Sequence, residues 1–406
     1  MFSYLFLSMK RRKAANLVTV GISVMLVILL NLYFGSIRSY QTQLSELAEN
    51  VPVFCQVTNL NGTLGNGLFI SEQMVEALER SAHVKDLSYM TVVLAGEGDF
   101  REAEYSKYLN LHVVGANGAE AVGEMTDDMF SMDAQSVDEL LSSDRMACIV
   151  NENVLKKRGW SVGDSITLKC YYYDPASAFQ KIDIHPMGGT VEVSIVRTME
   201  ETAGKTNAVQ TDIVIPGKAA RNLFAQYGLT FFADTVTFHV KDPLDLNGFK
   251  AEMQDIGLLE ISAEAGDSYT GCALAVRDGD FIASATHLRH SIELLQSFQP
   301  LVCILVLLIG YVVSYLVGNS RRAEVALMRL QGVKRFPAAL LFLTEQMLLV
   351  LIGNALGDAA VALAAGTFSG LPAVNGVLLA AYLIGAAAAF CRMSRESVVY
   401  LLSTQH

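Results

Sequence analysis

Few residues of this 406-residue chain have the type and spacing that chemistry needs, and most of them fall near its C-terminal end. The densest run is Arg321-Arg-Ala-Glu-Val-Ala-Leu-Met-Arg-Leu-Gln-Gly-Val-Lys-Arg. Val325 and Met328, with Leu327 beside them, fall within one helical face; Arg321 and Glu324 stand three apart; Gly332 suits a C-terminal cap. Two readings follow: a short amphipathic helix at a membrane surface, or a turn anchored by its charges. Glu345 lies about eight residues, roughly 12 Å, into the apolar run that comes next. A carboxylate at that depth needs a partner or a function, either a structural hydrogen bond or a proton relay. Gly353 and Gly357, four apart in the same run, let a second helix approach closely, as a seam between two copies or within one chain.

Elsewhere the sequence argues against catalysis. No HExxH, GxSxG or GxxxxGK[ST] pattern occurs. His287 and His290, a pair near ligand spacing, read as a solvated helix face, so no metal site is expected. Cys55, Cys148, Cys170, Cys272, Cys303 and Cys391 make no CxxC spacing; they read as isolated thiols, or leave room for one disulfide among the first four. No catalytic residue and no bound cofactor are expected of this chain.

The elements that position these residues follow from hydrophobic patterning. Four apolar runs, 17–35, 298–318, 337–366 and 372–391, approach the ~20 residues that an α-helix needs to cross ~30 Å of hydrocarbon. The chain therefore reads as an integral membrane protein with one span, a domain over 36–297, and then three spans. The first run is longer than a signal-peptide core and no small-x-small site follows it, so it is expected to stay as an anchor. Lys10, Arg11, Arg12 and Lys13 precede the first span; Arg321, Arg322, Arg329, Lys334 and Arg335 follow the second; Arg392 and Arg395 follow the fourth. Residues 36–297, by contrast, carry eighteen more acidic than basic side chains. Short basic segments stay inside, so 1–16, the loop 319–336 and the tail 392–406 are expected in the cytoplasm and the acidic domain outside. That acidity speaks against nucleic acid or an anionic lipid surface as the domain's partner.

At one end of the domain Ile37, Tyr40, Leu44 and Leu47 recur at helical spacing, and at the other Leu288, Ile292, Leu295 and Phe298 do the same. They predict two stalk helices packed on one another, with Pro300 at the junction with the second span. Between them, runs at 53–59, 86–94, 109–115, 146–150, 165–173, 190–197, 212–215 and 235–240 predict strands, and 71–82, 137–142, 152–158, 218–227 and 246–256 predict helices. The fold class is thus four transmembrane α-helices with a large extracytoplasmic mixed α/β domain between the first and second. The acidic, Met-rich stretch 120–144 reads as an inserted loop or a small subdomain.

Two stretches carry a resemblance. The loop run above, followed by Leu341-Phe-Leu-Thr-Glu-Gln-Met-Leu-Leu-Val-Leu-Ile-Gly-Asn-Ala-Leu-Gly, resembles the signature of FtsX/MacB-type ABC transporter permeases. Val150-Asn-Glu-Asn-Val-Leu-Lys-Lys-Arg-Gly-Trp-Ser-Val-Gly-Asp-Ser-Ile-Thr-Leu is similar to the outer-domain stretch of that family, in which a helix leads to a VGD turn and a strand. The C-terminal Arg392-Met-Ser-Arg-Glu-Ser-Val-Val-Tyr-Leu-Leu departs from it, lacking the prolines and alanines common after the last span.

The resemblance implies a permease subunit in the cell membrane with a MacB-like periplasmic core domain. Its loop would dock in a separate cytoplasmic ABC ATPase that holds the ATP and Mg²⁺. Arg321, Arg322, Glu324, Leu327, Arg329 and Gly332 would form the coupling element, and Glu345, Gly353 and Gly357 would lie within the membrane. It further implies a homodimer or a pair with a related permease, and room for an extracytoplasmic partner protein besides membrane lipid. With few intramembrane charges beyond Glu345, mechanical work suits the spans better than a hydrophilic path. Family substrates are peptides, antibiotics, lipids or lipoproteins, or a cell-wall hydrolase under control. The alternative is a membrane sensor or scaffold whose outer domain binds a ligand without ATP.

Overall fold

The computed structural model describes residues 13–122, 134–174, 184–200, 211–265, 271–365 and 372–394. Lys10, Arg11, Arg12 and Arg395, the outer turn joining the last two runs, and the tail beyond 394 lie outside the described residues. The chain divides into two compact units, Ala48–Ile282 on the one hand and Met1–Leu47 with Ala283–His406 on the other.

Helix α1 (Lys13–Asn50) runs unbroken for 38 residues, about 57 Å at 1.5 Å per residue. A span uses about half of that length, and the rest is the expected first stalk.

The α/β unit follows with β1 (Phe54–Thr58), β2 (Ile70–Ser71), α2 (Glu72–Arg80), β3 (Val84–Glu97), β4 (Leu111–Ala116), α3 (Ala134–Leu141), β5 (Ala147–Asn151), α4 (Glu152–Arg158), β6 (Ser165–Tyr173), β7 (Ile184–Met199), β8 (Ile213–Pro216), α5 (Gly217–Gln226), β9 (Phe232–Ala233), β10 (Thr235–Val240), α6 (Leu246–Ile256) and β11 (Ala273–Arg277). Caps explain where these helices begin and end. Ser71 Oγ accepts from the Met74 amide to start α2, Asn151 caps α4, and Gly159 and Gly257 close α4 and α6 in left-handed conformations that only glycine takes without cost. Strand β11 and the two-residue pair β2–β9 give no sequence signal; their side chains are too few or too mixed for a period-2 pattern.

Among the described residues, nine strands form one sheet in the order β11-β1-β10-β3-β4-β8-β5-β7-β6, and β6 returns to pair with β3. Strands β3, β4, β8, β5, β7 and β6 thus close on themselves, and β10, β1 and β11 extend outward from β3. Closure is possible because β3, at 14 residues, is long enough to hold two partners on one edge: β10 over Val84–Met90 and β6 over Leu94–Glu97. Inside lie Met90, Val92, Val114, Ile149, Met199 and Val214, together with Val137 and Leu141 of α3. Part of the acidic stretch 120–144 is therefore core and not an inserted loop, since both α3 side chains are fully buried; residues 123–133 fall outside the described residues.

Asp234 fills the gap where β3 changes partner. The Val92 amide lies between the two pairings and donates to Asp234 Oδ2 at 2.6 Å, while the Asp234 amide donates to the Met90 carbonyl at 2.8 Å. A carboxylate here replaces the missing strand, and burial pushes its pKa up to about 7 despite the hydrogen bonds from Val92 and Thr91. Because the folded-state value is raised, the contribution is fully present below the unfolded pKa near 4 and is lost as pH rises through about 7. The difference of about three units corresponds to on the order of 4 kcal/mol. Asp234→Asn is expected to flatten the fall in melting temperature of the α/β unit between pH 5 and pH 8 while leaving the pH 5 value nearly unchanged. A variant whose melting point still falls as steeply as that of the wild type would refute this account.

The second unit continues with α7 (Gly279–Asn319), α8 (Arg322–Leu330), α9 (Arg335–Ala365) and α10 (Pro372–Ser394). Helices α1, α7, α9 and α10 are long and apolar enough to cross a membrane, which makes this a membrane protein. Helix α7 runs through Pro300 without a break, so the second stalk and its span are one rod. The expected stalk stripes are only partly buried: Ile37 and Ile292 are buried, whereas Phe298 is exposed. The Tyr33 hydroxyl donates to the Leu295 carbonyl, one turn before the proline.

All four helices contribute to one core, with Leu26, Val27 and Leu30 from α1, Val306 and Val313 from α7, Val350 from α9, and Leu378, Tyr382 and Ala386 from α10. Glycines bring two pairs together. A Cβ on Gly353 would stand 2.4 Å from Ser23 Cβ, and one on Gly357 would stand 2.7 Å from Val27 Cβ, so α9 lies directly on α1. Similarly, Gly385 of α10 faces the Leu307 carbonyl and Tyr311 amide of α7, and Gly310 of α7 faces Tyr382. The interior is more polar than its apolar runs suggest: Thr19, Ser23, Asn31, Gln346 and Asn354 are buried within it.

Candidate functional site

The site is built around α8. Its N-terminal boundary is Arg321, whose side chain caps nothing in α8 itself and turns into the bundle. There its Nη1 and Nη2 donate to Glu345 Oε2 and Oε1 at 2.5 and 2.7 Å, a two-pronged ion pair. Both side chains are buried, at 1% and 2% exposed, and the guanidinium lies 5.4 Å from the centre of the Phe342 ring. Arginine suits this position because its planar fork matches a carboxylate and stacks on an aromatic face.

The C-terminal end is equally defined. The Gly332 amide donates to the Arg329 carbonyl and the Val333 amide to the Met328 carbonyl, and Gly332 takes φ +88°. This double bond pattern is a Schellman cap, which needs the left-handed residue that glycine supplies. The C-terminal cap expected at Gly332 is present.

Other parts of the sequence reading divide. Leu327 and Met328 do not share a face: Met328 packs beside Phe342 and Phe390, whereas Leu327 is 56% exposed. Leu330 and Phe336 are exposed as well, at 66% and 76%, giving the loop an outward apolar surface. Glu324 and Arg329 are half-buried on α8, and the Arg322 side chain lies outside the described residues. Arg321, grouped by sequence with the coupling surface, is turned inward on Glu345. Of the two possibilities for Glu345, the structure supplies a structural partner. For Gly353 and Gly357 it supplies a seam with α1 of the same chain.

Sequence reasoning missed a second acid within the bundle, the half-buried Asp358. Asp358 Oδ2 accepts from Asn375 Nδ2 at 2.6 Å and its Oδ1 from Asn31 Nδ2 at 3.5 Å, so one carboxylate of α9 holds α1 and α10 together. The depth argument applied to Glu345 would have found it, since Asp358 sits in the same apolar run.

In the α/β unit, burial pushes the thiols of Cys55, Cys148 and Cys170 up to about 12 and that of Cys272 to about 11. All four are free and buried, an environment that disfavours the reactive thiolate. His287 and His290 are exposed on α7, and among the described residues no cluster of ligating side chains could hold a metal. A cavity of about 300 Å³ between α6 and β11 is lined by Met253, Leu258, Leu274 and Val276, with Lys250 paired to Asp278 at 2.8 Å on its margin.

No protein-family model matches the chain, and neither does any curated protein. Among solved structures, the chain is similar to the periplasmic region of MacB from Actinobacillus actinomycetemcomitans. That match has 9% identity and a TM-score of 0.32, over 60% of this chain and 98% of that one. It is also similar to the extracellular domain of the noncanonic ABC-type transporter YknZ from Gram-positive bacteria, at 12% identity and a TM-score of 0.27, over 50% of this chain and 89% of that one. At such values the functional reading rests on this chain's own residues.

Proposed function

We propose that this chain is the membrane subunit of an ABC-type complex, passing ATP-driven movement of a separate cytoplasmic ATPase to the domain of residues 36–297 outside the membrane. The observation that carries this reading is α8: a capped helix between two spans, anchored inward by a buried ion pair and presenting Leu327 and Leu330 outward. An exposed apolar face on a short basic loop suits a protein groove, and the sequence of the loop resembles the FtsX/MacB-type coupling segment. ATP and Mg²⁺ then belong to the partner. The buried Glu345 and the half-buried Asp358 of α9 are both held by side chains of their own unit, which suits bracing helices more than lining a hydrophilic path. Mechanical work on a peptide, lipid, lipoprotein or enzyme outside the membrane is the activity that fits, with a second permease copy or relative beside it.

The experiment is gentle purification from native membrane of the wild type and of Arg329→Glu. A stoichiometric Walker-motif ATPase is expected with the wild type and lost from the folded variant, because a reversed charge beside Leu330 opposes docking. If neither folded sample brings an ATPase, the reading fails and an ATP-independent sensor or scaffold takes its place.

A further inference from the structure

The buried pair closes a brace. Helix α8 has nine residues, about 13 Å, and the ten steps from Arg335 to Glu345 cover about 15 Å of α9. The two stretches are joined at one end by the short turn through Gly332 and at the other by Arg321 on Glu345. The turn holds one end through the Schellman cap at Gly332, and the ion pair at the open end supplies the second point of attachment. Two parallel hydrogen bonds fix both separation and orientation, and at 1–2% exposure neither water nor salt competes for them. Beyond the brace, α9 is attached to α1 at three successive heights: Gly353 at Ser23, Gly357 at Val27, and Asp358 at Asn31.

We infer that Arg321 and Glu345 are positioning residues that make α8 and α9 one rigid lever, so that displacement of the loop helix is delivered to α9 and through its glycine seam to α1. The inference rests on the reading of α8 as the ATPase-docking helix. An apolar pair would hold the helices together equally well, so what the charged fork adds is direction: it sets where α8 points.

The test uses the full chain with its ATPase in lipid, spin-labelled through unnatural amino acids at the exposed positions Ser320, beside Arg321 at the open end of α8, and Leu356 on α9. In the wild type the distance between them stays single and unchanged through ATP binding and hydrolysis. In Arg321→Met/Glu345→Leu, which keeps the bundle packed, the distribution broadens and becomes nucleotide-dependent, while the ATPase still co-purifies. Arg321→Lys, which keeps the charge but not the fork, broadens it as well. A variant with the wild-type distance in every nucleotide state overturns the inference. Absence of an ATPase from the wild type overturns the docking reading instead, and the distance measured without nucleotide still decides whether the pair rigidifies the lever.

Discussion

Gly385→Val is expected to lower the melting temperature of the detergent-solubilised protein by roughly 6–12 °C, from a cost of about 3 kcal/mol in a unit of this size. A Cβ at this position would stand 2.5 Å from the Leu307 carbonyl oxygen and 2.7 Å from the Tyr311 amide. Both are backbone atoms of α7, so no side chain can rotate away and the two helices must separate. Separation removes contacts from the core shared by Val306, Val313, Leu378, Tyr382 and Ala386. Gly376→Ala, in the same helix with nothing within 4 Å of the new methyl, is the control. It is expected to be neutral or to stabilise by up to about 1 kcal/mol, because alanine is the better helix former. Equal melting points for the two variants would show that α7 and α10 do not pack as described.

Glu345→Ala is the second large effect. It leaves the Arg321 guanidinium buried without its carboxylate, at a cost of about 3–5 kcal/mol. Arg321→Met alone is expected to cost a similar amount by stranding the carboxylate. Arg321→Met/Glu345→Leu is expected to recover most of it or to exceed the wild type, since the paired charges are costly to dehydrate and an apolar pair of similar volume is not. Thermal melting of the four proteins gives the coupling between the two positions. Additive losses in the double variant would mean that the two side chains do not meet.

Much of the architecture is legible in the local sequence. The four apolar runs are four long helices, and 152–158, 165–173, 235–240 and 246–256 coincide with α4, β6, β10 and α6 to the residue. These are segments in which a cap, a turn glycine or strict periodicity marks the boundary locally. Strand β11 is not legible, because its burial comes from pairing with β1, some 215 residues earlier in the chain. The closure of the sheet through β3 and β6 is not legible either: local pattern does not say that one long strand serves two partners along one edge. The site shows the same division. Gly332 as a helix cap is a local property and can be read from its neighbours, whereas the inward turn of Arg321 depends on a carboxylate 24 residues away.

The sequence by itself determined that this is a membrane chain with an acidic α/β domain between its first and second apolar helices, a basic loop between the second and third, and an acid placed deep in the third. Those properties are fixed by transfer free energy, charge and helix periodicity, each of which acts over a few neighbouring residues. Tertiary structure alone decided which charge meets which. It placed Arg321 on Glu345, Asp358 between Asn31 and Asn375, and Gly353 and Gly357 against α1, because a buried ion or a bare glycine is satisfied only by whatever another helix brings alongside it.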